Sequence, residues 1–147
     1  MANPYLGEHD IKLNGIDYQL KLSIGVIAAY EQMTKSDFFA DAYTALDGMV
    51  EAAKVKDNNA KYARILTQSV SLNKAVTLVY LAAKESNSFV EFGEIQEAFI
   101  LDHAISDERF HPAIFTTLAL FAINGNKESK KKDSLDNGST KKESMKE

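Results

Sequence analysis

The chain has 147 residues, 45% of them hydrophobic, enough to bury one sizeable core and too few for two. With no cysteine it excludes a disulfide framework, a thiolate zinc site and a cysteine nucleophile together, and with no long apolar run and no basic or apolar leader in Met1–Glu8 it is expected in the cytoplasm, away from membranes. Residues 126–147 hold seven lysines against five acids, whereas the part before them is acidic, with ten basic and sixteen acidic side chains and only Arg64 and Arg109 as arginines, so nucleic acid is not an expected partner.

Met1–Gly7 contains Pro4 and Gly7, shows no period, and is expected to be a loosely held arm that orders only in an assembly. From Glu8 the pattern changes. Ile11 and Leu13 precede Asn14-Gly15, and Ile16, Tyr18, Leu20 and Leu22 follow at period two, which is the signal of a β-hairpin with a type I′ turn. Leu13 is then opposite Ile16 and Ile11 opposite Tyr18, and the apolar face needs a cover, for which the next apolar segment, Ile24 to Met33, is the nearest candidate. Ser23 is placed to cap a helix from Ile24. Gly25, in its first turn, suggests a strand packed closely over it.

Thr34 or Ser36 is the expected cap of the next helix, in which Phe39, Ala42, Tyr43, Leu46, Met49, Val50 and Ala53 recur as an amphipathic stripe. Lys54–Asn59 reads as a loop. Ala60 to Lys84 is interrupted by Ser69, Ser71 and Asn73 and reads as two helices, 60–68 and 73–84, the second apolar nearly all round and therefore central. A further helix opens at Glu91 with Ile95, Ala98 and Phe99 along one side. Asp107 and Pro112 both mark the start of a last one, buried through Ile114, Phe115, Leu118, Ala119, Phe121 and Ala122, with Asn124-Gly125 as its stop. Beyond Gly125 only Leu135 and Met145 are large and apolar, too little to offset ordering entropy, so a disordered tail is expected. The fold class is mainly α (α+β): one domain over residues 1–125, with five to six helices and an N-terminal two-stranded hairpin, and a disordered polar tail over 126–147.

Chemistry-bearing patterns are sparse. His9, His103 and His111 fall on different elements without ligand spacing, which argues against a metal; they read as one surface and two helix-end residues. No phosphate loop, nucleophile elbow or paired-histidine helix motif occurs. Glu91, Glu94 and Glu97 recur every third residue near a helix start, either as a solvated acidic face or as a docking stripe for a basic partner. Phe38 and Phe39 are adjacent, about 100° apart on a helix, so either the core stripe is broad or one of them is a contact surface. The hairpin edges offer a second mode of contact.

The ribbon from Ile11 through Asn14-Gly15 to Leu22, followed by Ser23-Ile24-Gly25-Val26-Ile27-Ala28-Ala29-Tyr30-Glu31 and then by helices alone, resembles the tail assembly chaperones of long-tailed, siphovirus-type bacteriophages and prophages. The resemblance is one of pattern and order and spans roughly residues 7–125. It implies a protein that is not an enzyme and needs no cofactor. Such a protein self-associates along the tape-measure protein in the bacterial host cytoplasm while the tail tube is built, and is absent from the mature virion. In many such chaperones a −1 ribosomal frameshift near the end of the reading frame adds a domain that recruits the tail-tube protein. Lys130, Lys131 and Lys132 can be encoded by the A-rich run that slippage needs, just after the folded body. A small head-tail connector or tail-completion protein retained in the virion is the alternative, and detection in purified particles separates the two. A host helical adaptor unrelated to phage is a third reading, favoured by a gene neighbourhood without tail genes.

Overall fold

Asn14 and Gly15 adopt φ of 49° and 78°, the two positive values of a type I′ turn, and join β1 (Glu8–Leu13) to β2 (Ile16–Lys21) in a computed structural model that describes residues 8–103 and 107–124. The strands pair antiparallel with Leu13 opposite Ile16, Ile11 opposite Tyr18, His9 opposite Leu20 and Glu8 opposite Lys21, the register expected from the turn. Leu13, Tyr18 and Leu20 are buried on the shared inner face. The outer face is charged, and Lys12 and Asp17 meet across it at 3.8 Å. The arm, Gly125 and the polar tail with Lys130–Lys132 lie outside the described residues.

Six helices follow among the described residues: α1 (Ile24–Thr34), α2 (Phe38–Ala53), α3 (Asn59–Ser69), α4 (Leu72–Ser86), α5 (Phe92–Leu101) and α6 (residues 111–124). The chain is thus mainly α with an N-terminal hairpin. Ser23 caps α1 by accepting from the Val26 N–H at 3.2 Å. For α2 the cap is Asp37, whose Oδ1 accepts from the Ala40 N–H at 3.0 Å, and neither Thr34 nor Ser36 takes that role. Thr34 instead donates to the Tyr30 carbonyl within α1, and Ser36 to Asp41.

The central element is α4, with Ala75, Val76, Thr77, Leu78, Val79, Ala82 and Ala83 buried. It touches β2, α1 and α5. The hairpin's main cover is therefore α4, distant in sequence, and not the adjoining α1. One continuous core joins the hairpin, α1, the start of α2, α4, α5 and α6. A smaller cluster of Ala52, Leu66 and Phe110 lies between the end of α2, α3 and the start of α6.

The buried face of α2 is rotated from the stripe expected in the sequence. Phe38, Ala42, Ala45, Gly48 and Ala52 are inside, while Phe39, Tyr43 and Val50 are outside and Leu46 and Met49 are half-buried. Small residues on the inner face let α3 approach closely: a Cβ on Gly48 would overlap the Ser69 side chain. Large apolar residues marked the wrong face because a close seam between helices is lined by small ones.

Candidate interaction surface

The orientation of α2 is set by a polar cluster at its first turns. Tyr30 is fully buried and donates from its hydroxyl to Asp41 Oδ2 at 2.7 Å; Asp41 Oδ1 accepts from Ser36 at 2.9 Å and from Lys74 Nζ at 3.1 Å. Burial and the adjacent Asp41 carboxylate push the Tyr30 phenol far above its usual range. The ring of Tyr30 meets Phe38 edge-on at 5.5 Å and Phe115 at 5.9 Å. Three helices, α1, α2 and α4, are thereby pinned at one point, and Phe38 is locked inside. Phe38 is fully buried and is not a contact residue, which corrects its assignment as a candidate surface.

Its neighbour Phe39 packs edge-on against it at 5.4 Å and remains 45% exposed. Phe39, Tyr43 and Val50 lie on one side of α2, because steps of four and seven residues return to the same face. Tyr43 and Val50 are 59% and 54% exposed. Beside this stripe stand Asp47 and Glu51, both exposed, and α2 contains no basic residue from Phe38 to Ala53. An open apolar stripe with an acidic flank suits an amphipathic segment with basic side chains at its margin. Tyr43 and Val50 were legible as members of a helical stripe; which side of the helix faced inward was not.

The acidic triplet divides differently from a docking stripe. Glu91 and Glu94 serve the N-terminus of α5, the Glu91 N–H donating to Glu94 Oε1 at 3.4 Å. Glu94 Oε2 accepts from the Tyr18 hydroxyl at 2.7 Å, tying α5 to the hairpin, and burial with this carboxylate pushes the Tyr18 phenol up to about 12. All three carboxylates are exposed, and Glu97 has the most open role.

The histidines depart from the expectation of one surface and two helix-end residues. His9 is half-buried on the inner side of the hairpin, 4.8 Å from the Phe121 ring. His111 opens α6, is buried, and its Nε2 lies 3.1 Å from the Val70 carbonyl. Burial lowers its pKa, and the stacked His103 ring at 5.6 Å acts in the same direction. Among the described residues no three His, Cys, Asp or Glu side chains gather where they could hold a metal, and no helix is long and apolar enough to cross a membrane.

A second open region was not foreseen. A cleft of about 310 Å3 runs between the start of α1 and the end of α4, lined by Gly25, Val26, Ala29, Leu81 and Lys84 among others. No strand packs over Gly25, whose added Cβ would meet only Ser23 Oγ at 3.6 Å. Next to the cleft in sequence are Ile24, 72% exposed, and Phe89, 88% exposed. Isolated apolar residues in a loop and a first turn leave no periodic signal. No known protein family, curated protein or solved structure matches the chain.

Proposed function

We propose that this chain is a non-enzymatic tail assembly chaperone of a long-tailed phage or prophage, acting in the host cytoplasm. It binds the tape-measure protein during tail assembly and self-associates along it. The observation that carries the reading is the open Phe39–Tyr43–Val50 stripe on an acidic helix. A long helical partner presents apolar residues at i, i+4 and i+7 with basic flanks, and two such stripes bury each other. The order of hairpin followed by helices, on which the resemblance rests, supports the same assignment. A longer product made by frameshifting at Lys130–Lys132 would bring the tail-tube protein.

Co-expression with the long helical tape-measure protein encoded nearby tests this directly. The expected outcome is that the partner becomes soluble and co-purifies, and that Phe39→Asp abolishes co-purification while far-UV circular dichroism is unchanged. An insoluble partner, or unaltered capture by Phe39→Asp, overturns the assignment of this surface. Codons 130–132 provide a separate check, because an interrupted A-run with no overlapping frame removes the frameshift at that position.

A further inference from the structure

We propose that residues 1–7 of the same chain dock in the cleft between α1 and α4, with Leu6 and Tyr5 seated against Gly25 and Ala29. This goes beyond the chaperone assignment and does not depend on it. Gly25 lies in the first turn of α1, where glycine disfavours a helix by about 0.5–1 kcal/mol relative to alanine. The fold offers no internal reason for it, since its missing Cβ faces only Ser23 Oγ at contact distance. Gly25 and Ala29, one turn apart, instead form a shallow floor of small residues open to the outside, with Leu81 as a wall. Ile24 and Phe89, flanking the cleft residues Gly25 and Ser88 in sequence, are the most exposed large apolar side chains among the described residues.

Register selects the occupant. Glu8 pairs with Lys21, so β1 carried back one residue sets position 7 beside Leu22, two residues before α1 begins. An extended residue covers about 3.3 Å, whereas Gly25 to Ala29 spans about 6 Å of helix. Two or three residues before Gly7 therefore reach the length of the cleft. Residues 1–7 carry no charged side chain and include Pro4, Tyr5 and Leu6, whereas residues 126–147 carry seven lysines and five acids. Only the first of these segments matches an apolar floor. The volume, at the small end of ligand clefts, takes a two-residue anchor and excludes a whole helix from a second copy.

The chain has no tryptophan, so Tyr5→Trp places one reporter at the anchor of the otherwise unaltered full-length protein. Docking predicts blue-shifted emission and an acrylamide quenching constant at least threefold below that of free tryptophan amide, independent of protein concentration. Adding Gly25→Leu or Ala29→Met fills the cleft from within and should return both readings to those of an exposed indole, with the circular dichroism spectrum retained. Exposed-type emission in Tyr5→Trp alone overturns the proposal. So does protection that survives both cleft-filling changes, which places the arm elsewhere, and so does protection lost on dilution, which assigns the cleft to the arm of another copy.

Discussion

Asp41 accepts hydrogen bonds from Tyr30, Ser36 and Lys74 while its own side chain is mostly enclosed. Removing it strands a buried phenol and a half-buried ammonium, which is costlier than losing a surface ion pair. Asp41→Ala is expected to destabilise the fold by about 2–3 kcal/mol in urea unfolding, and Asp41→Asn by less, since the amide oxygen still accepts. His111 makes a second prediction at this scale. Its folded pKa lies below the ordinary value of 6.5, so the unfolded chain binds the proton first. Stability is present above pH 6.5 and falls as pH drops below it. Thermal melts between pH 7.5 and 5 should show this decline, and His111→Gln, whose amide can still donate toward the Val70 carbonyl, should flatten it.

At the scale of the element, α2 is a helix with two apolar faces of different character. Its inner face uses alanine and glycine to bring α3 close, and its outer face presents larger side chains to solvent. The adjacent phenylalanines should separate cleanly: Phe38→Ala is expected to cost about 3–5 kcal/mol, and Phe39→Ala to stay within about 0.5 kcal/mol. Equal losses in denaturant titration would contradict the rotation of the helix described above. The hairpin offers a comparable test, because Gly15 sits at φ 78°. A β-branched side chain there is strained, and Gly15→Val is expected to destabilise by about 1–3 kcal/mol, seen as a lower melting temperature.

For the molecule as a whole, two tyrosine-carboxylate contacts join distant segments, Tyr18 to Glu94 and Tyr30 to Asp41. Both phenols are raised above their usual 10.0, Tyr18 to about 12. Above pH 10 the unfolded chain loses these protons first, so stability is full below pH 10 and declines as pH rises toward 12. Tyr18→Phe should reduce the steepness of that alkaline decline in melts taken from pH 9 to 11.5.

By itself the sequence determined the features that rest on short-range physics. The Asn14-Gly15 turn imposes its register through backbone sterics, Ser23 caps the first free N–H groups of α1, the Ser69–Asn73 break separates α3 from α4, and the apolar girth of α4 makes it central. What only the tertiary structure decided were choices between faces and partners. Whether Phe38 or Phe39 is inside depends on where Tyr30, Phe115 and Asp41 arrive from other helices. That α4 and not α1 covers the hairpin depends on a contact between residues some sixty apart in the chain. The cleft over Gly25 exists because α1 meets the end of α4 without closing on it, and a gap between two elements is written in neither of them.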